Sequence, residues 1–226
     1  MIRSELGRLP ERNVPSLRAL RRRHTRALAK QAPELVLALA FELLKPGDFV
    51  GRMLAYELLA AHRGGIELLD DPLIERLGQG LADWGSVDLF GVTLAGPAWR
   101  RGRVSDQKIL EWARSTDRWQ RRLSLVATVR LNSKTGGGTG DWRRTLRVAK
   151  LHLDDRDDMV EKAMSWALRE LSQREPSKVR EFLREHSERL APRVRREVKN
   201  KLETGLKNPK LKTAKARGRK PAARGR

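Results

Sequence analysis

Asp88 stands four residues after Trp84 in the stretch Trp84-Gly85-Ser86-Val87-Asp88. On a helix the two share one face, a turn apart. Leu81 and Phe90 flank them and make that helix largely apolar, where an uncompensated carboxylate is costly. Such an Asp turns to solvent, pairs with a cation, or serves as a reagent. Arg122 is a candidate cation. In the helical stretch Arg118 to Leu131 it follows Trp119 by three residues and precedes Val126 by four. Its guanidinium therefore sits among apolar residues and needs a carboxylate or a phosphate. Arg118 and Arg121 point to solvent or to phosphate. A second aromatic comes from residues 157–173, where Val160, Ala163, Met164, Ala167, Leu168 and Leu171 form an apolar stripe. At about 100° per residue, Trp166 falls off that stripe and points with Arg169. A tryptophan beside an arginine on a basic chain is a candidate for stacking or groove contact.

One carboxylate, one arginine and two aromatic side chains do not make a nucleophile–base pair. Ser86 has no His near it in sequence and no nucleophile-elbow context. The chain has no Cys, and its four His (His24, His62, His152, His186) are scattered. A disulfide framework, a thiolate nucleophile and a Cys- or His-ligated metal are therefore not expected, and no cofactor is implied. A carboxylate alone can stabilise a growing positive charge and orient a water. Hydrolysis through an oxocarbenium-like state at a sugar carbon fits that description, and on nucleic acid it is N-glycosidic cleavage. The plainer alternatives are a structural Asp88–Arg122 ion pair and tryptophans that only pack.

The net charge of +21 points to a polyanionic partner, most simply nucleic acid. Nine Lys/Arg and no acid lie between Gly205 and Arg226, so residues 1–204 carry +12 on their own. No apolar run is long enough for a membrane span, and no signal-peptide pattern opens the chain. A soluble cytoplasmic protein acting as a monomer is the expectation.

Leu, Ala, Arg and Glu dominate, without period-two runs of Val, Ile or Thr, so the fold class is all-α. Ser16 is expected to cap a helix from Leu17 to Lys30 with a basic face of Arg18, Arg21, Arg22 and Arg26. Pro33 opens the next, to Leu44, and Asp48 caps Phe49 to His62. Further helices are expected near 66–79, 81–94, 105–115, 118–131, 142–153, 157–173, 177–186 and 192–204. Short helices joined by short turns suit an α-solenoid of HEAT-like antiparallel pairs with a concave basic face; a compact bundle is the alternative. The glycine-rich segment 132–141 lacks a Walker ending and reads as a flexible surface loop. Residues 1–204 are expected to form one domain and 205–226 a disordered basic tail.

Three blocks carry a resemblance: Trp84 to Asp88, Trp112 to Arg122, and Glu161-Lys162-Ala163-Met164-Ser165-Trp166-Ala167-Leu168-Arg169-Glu170. In that order they resemble the DNA alkylation repair family, the AlkD-like HEAT-repeat DNA glycosylases. The resemblance is specific over about 80–204 and covers 16–79 only as general helical repeat. It implies a monofunctional glycosylase of base excision repair that acts on double-stranded DNA and releases N3- and N7-alkylated purines without flipping the base into a pocket. It makes Asp88 the catalytic carboxylate, Trp84 and Trp166 the aromatic pair at the damaged nucleotide, and Arg122 a DNA contact near the lesion phosphate. A bacterial, nucleoid-associated setting follows from the same resemblance. Arg118, Arg121, Trp119 and Arg169 are further expected DNA contacts. The tail segment Lys215 to Pro221 resembles the core of an AT-hook, with Lys220 interposed, which adds Arg217 and Arg219; a nonspecific polybasic tail is the plainer reading. A non-catalytic DNA-binding scaffold on the same face is the alternative function.

Overall fold

The computed structural model describes residues 2–8, 11 and 13–209. Among these residues all regular structure is helical: α1 (Ile2–Gly7), α2 (Val14–Leu28), α3 (Pro33–Leu44), α4 (Phe49–Ala61), α5 (Asp71–Leu77), α6 (Trp84–Phe90), α7 (Gly96–Arg100), α8 (Asp106–Ala113), α9 (Arg118–Asn132), α10 (Trp142–Lys150), α11 (Asp158–Ser172), α12 (Pro176–Glu185) and α13 (Pro192–Thr204), with a π-helical turn at Gly91–Ala95. Aspartates set many of the starts. Asp48, Asp70, Asp83, Asp117, Asp141 and Asp157 each accept a backbone N–H from the first turn of the helix they precede. This satisfies an orphan donor and places a negative charge at the positive end of the dipole.

The helices stack in series. α2, α4, α6, α9, α11 and α13 pack each on the next, while α3 lies on α4, α8 and α10 on α9, and α12 on α11. Each pair touches its neighbours in the row, which is the arrangement of an α-solenoid of HEAT-like pairs. The core follows the row and holds Tyr56, Phe90, Trp99 and Phe182.

Several boundaries differ from expectation. Asn13, not Ser16, caps α2: the Ser16 N–H donates to the Asn13 side chain at 3.0 Å, and Pro15 occupies the first turn. The expected helix 66–79 is confined to Asp71–Leu77 by the Asp70 cap. The expected helix 81–94 starts only after Asp83 and continues to Arg100 through the π turn. Pro97 explains the turn, since it cannot donate and its ring crowds the carbonyl four residues back. The chain widens just before it, with the Gly96 N–H on the Gly91 carbonyl, and the Val92 carbonyl accepts from Arg130 Nε at 2.6 Å. Gly91 and Gly96 let this rod lie hard on α9. A Cβ on either would come within 2.6 Å of α9, meeting Val126 Cγ1 or the Ala127 carbonyl.

The glycine-rich segment is not a free loop. The Gly136 carbonyl accepts from Arg100 and the Gly138 carbonyl from Arg174, so two arginines fold it back on the end of α9. Gly137 and Gly140 supply its positive φ angles. The first residues of the expected tail are also tied down: Gly205 closes α13 at φ +75°, and the Lys207 carbonyl accepts from Asn200. The rest of the tail, with Arg217 and Arg219, lies outside the described residues.

Candidate functional site

Asp83 starts α6 so that Trp84, its first residue, projects from the helix end and is 62% exposed. Asp88 follows one turn later. Its side chain is 19% exposed and meets Arg122 of α9, which is 6% exposed. The pair is a fork: Arg122 Nε donates to Asp88 Oδ1 at 2.9 Å and its Nη2 to Oδ2 at 2.8 Å. The third arm, Nη1, donates to the Met159 carbonyl of α11. One buried guanidinium thus ties three neighbouring helices at one point. Burial pushes the Asp88 carboxyl above the usual carboxylate range; the hydrogen bonds and charge of Arg122 pull it back, and Asp83 adds a smaller upward push. The carboxylate is the outer member of the pair and the guanidinium the inner one. A cation approaching from solvent meets the negative end first.

Trp166 lies seven residues after Met159 on α11, hence on the same face two turns further, about 10 Å along the axis. It is half-buried and packs at the edge of the core. The site therefore has a backed carboxylate, an exposed tryptophan beside it, and a second tryptophan further along the same row of helices.

The expected DNA contacts divide. All three nitrogens of Arg122 are engaged within the protein, by a carboxylate and a carbonyl. Arg121 is likewise engaged within the protein, donating to Asp155 at 2.7 Å and to the Ser115 and Thr116 carbonyls rather than standing free in solvent. Arg169 is half-buried beside Ser165, whose hydroxyl donates to the buried Glu197, and this differs from an open stacking arginine. Burial lowers its pKa while Glu197 and Glu170 raise it. Arg118 keeps an exposed side chain, with its guanidinium 5.2 Å from the Trp119 ring. Trp119 is half-buried and, with Trp112, Gly80 and Leu81, lines a cleft of about 210 Å³.

Sequence reasoning missed two groups. Arg52, buried within α4, donates to the Gln79 and Gly80 carbonyls at 3.0 and 2.8 Å and to the Tyr56 hydroxyl at 3.1 Å. It fixes the turn that leads into Asp83 and Trp84. The signal was an arginine inside an otherwise apolar helix. The second group is Ser124 of α9 with His152 and Asp155 of the turn before α11, brought together although Ser124 is 28 residues from His152. Ser124 Oγ lies 3.1 Å from His152 Nε2, and His152 Nδ1 lies 3.8 Å from Asp155. Among the described residues no cluster of His, Cys, Asp or Glu is placed to hold a metal ion. No described helix is long and apolar enough to cross a membrane.

A family model described as DNA alkylation repair enzyme matches residues 12–202. The chain belongs to that family. The match takes in the N-terminal helices, where the three sequence blocks gave only general helical likeness, and it includes the glycine-rich segment. No curated protein matches the chain significantly. Membership of a DNA alkylation repair family fits the basic composition and makes DNA the partner to expect.

Proposed function

We propose that the chain is a monofunctional DNA glycosylase that hydrolyses the N-glycosidic bond of cationic N3- or N7-alkylpurines in double-stranded DNA, without taking the base into a pocket. The observation that carries this reading is the Asp88 carboxylate, backed from inside by Arg122 and opening beside the exposed Trp84. An alkylated purine leaves as a neutral base, so the protein need not supply a proton. What the reaction lacks is stabilisation of the positive charge growing on the sugar and a directed water. Asp88 supplies both: its outer edge faces the sugar and accepts a hydrogen bond from the attacking water. Arg122 holds the carboxylate in one orientation, so little reorganisation is needed as charge develops. Trp84 and Trp166 stack against deoxyribose and backbone and hold the damaged nucleotide along the α6–α9–α11 row. Exposed cations beside the site, Arg118 among them, and the basic tail supply phosphate affinity.

The test is mass spectrometry of bases released from methylated duplex DNA. Wild type should release 3-methyladenine or 7-methylguanine. Asp88→Asn should lower single-turnover release by about 10²–10³-fold, the range for loss of one charge-stabilising group, with duplex binding retained. No release by wild type would sink the enzyme reading in favour of a non-catalytic DNA-binding scaffold. That reading draws on one observation, the full engagement of Arg122 inside the protein. Removing residues 210–226 should weaken DNA affinity and flatten its salt dependence while leaving single-turnover release unchanged.

A further inference from the structure

A second feature lies away from Asp88. Asp88 docks on Arg122, near the start of α9, whereas α10 docks on its end, where Asn132 Nδ2 donates to Thr145 Oγ1 at 2.9 Å. Ten residues of helix separate the two, about 15 Å. Between α10 and α12 runs a groove of about 470 Å³. Its floor is Trp142, Leu146 and Phe182. Arg143, Arg147 and Lys150 stand exposed along one side of α10, at spacings of four and three residues that align them on one face. The Trp142 ring carries the Arg143 guanidinium at 4.6 Å and the Lys178 ammonium at 5.0 Å. A second cleft, of about 670 Å³, shares Trp142, Arg143 and Arg147 with the groove and adds the acids Asp106, Asp141 and Glu175. The two acids of the groove, Glu181 and Glu185, stand on the α12 wall, and Glu181 is paired with Lys178 at 3.0 Å. The charged residues of the α10 wall are all cations, of which Arg147 also lies 3.6 Å from the exposed Asp106.

We infer that this groove binds an unpaired nucleic-acid strand, a contact separate from the one at Asp88. The arrangement has the two parts such a ligand requires. A line of cations tracks a phosphate backbone, and an aromatic and apolar floor receives bases that a duplex would keep stacked inside. Arg143 serves in either role, since a guanidinium lying over an indole is also a flat surface on which a base can stack. A duplex would meet the rim but leave the floor empty. An acidic peptide would meet the rim with no use for the indole. The inference does not depend on the glycosylase reading, and in a DNA repair protein it supplies a hold on the single-stranded stretches that accompany repair.

The test uses the full chain and a fluorescent oligo-dT, with anisotropy followed over a salt series. The triple variant Arg143→Ala/Arg147→Ala/Lys150→Ala should lower the slope of log affinity against log salt by about 2, at about 0.7 per lost phosphate contact. Trp142→Leu should weaken binding about tenfold with the slope retained, as expected for loss of one stacked base. Base release from methylated duplex should remain that of wild type in both variants, so the two readings fail on separate assays. The three cations are exposed on the helix surface, and thermal unfolding matched to wild type checks that the fold is intact. An unchanged slope in the folded triple variant overturns the proposal. So does a polyglutamate probe that binds through these three residues when oligo-dT does not, which would make the groove a protein-docking surface.

Discussion

Two clusters of this molecule invert what their compositions promise. Ser124, His152 and Asp155 are the residues of a hydrolytic triad, yet they cannot run one. Ser124 is wholly buried, and its hydroxyl donates to the Arg121 carbonyl at 2.7 Å. With that proton committed, the 3.1 Å contact requires His152 Nε2 to be the donor. Nδ1 is then bare and without a hydrogen-bond partner, facing Asp155 at 3.8 Å. A catalytic triad needs the opposite tautomer. Asp88 and Arg122 are by composition an ordinary ion pair, yet one edge of that pair opens to solvent beside an exposed tryptophan. The difference lies in access and in proton direction, and residue type conveys neither.

The sharpest way to break the contrast is to cut the open pair. Arg122→Ala should destabilise the fold by about 3–5 kcal/mol, the range for stranding a buried partner, measured by denaturant unfolding. A change below about 1 kcal/mol would show that Asp88 reaches water without Arg122. The closed cluster makes a different demand, on pH. Burial lowers the His152 pKa to about 4, against about 6.5 in an unfolded chain. Asp155 pulls it up only in part, and Arg121 pushes it further down. Because the folded value is the lower one, the stability from keeping His152 neutral is fully present above pH 6.5. It is lost as pH falls from about 6.5 to about 4, and amounts to about 3 kcal/mol. His152→Gln should lack that share of the pH dependence in denaturant titrations across the same window; a variant that tracks wild type there refutes the assignment. Smallest is Ser124→Ala, expected to cost about 1 kcal/mol of stability and nothing in base release. Loss of release with intact stability would restore the triad as a chemical device. Asp88 supplies the counterpart: release should fall as pH drops through a pKa above the ordinary carboxylate value, seen in a single-turnover pH profile.

Much of the fold was legible. Pro33 and Asp48 mark helix starts through the bonding capacity of a few side chains, and the predicted ends of α3, α4 and α13 lie within a residue of those observed; the caps Asp70 and Asp83 were not read, and α5 and α6 start later than expected. The π turn was not legible, because it depends on which carbonyl Pro97 leaves free and on Arg130 arriving from α9. Trp166 illustrates partial success: helical periodicity puts it off its stripe, but only the neighbouring helices decide how far it is covered. The anion that Arg122 needs was legible as a need; that Asp88 and the Met159 carbonyl together meet it required the register of three helices. Ser124 and His152 are 28 residues apart, and nothing local in either segment joins them.

The arginines that hold backbone carbonyls bear on how the charge of this protein should be counted. Arg52 grips the turn before α6, Arg130 the π turn, Arg100 and Arg174 the glycine-rich segment, and Arg144 the Trp99 carbonyl at the end of α7. Each forked, planar cation stands where a loop or helix end would otherwise lack donors. A lysine at these places would bring the same charge on a single mobile nitrogen, without the planar fork by which Arg52 and Arg174 each reach two carbonyls from separate nitrogens. Replacing every arginine by lysine would leave the net charge at +21 while removing the ties that shape the chain. Ionic composition and architecture are thus separable in this protein: the first is met by any cation, the second draws on the fixed fork of the guanidinium.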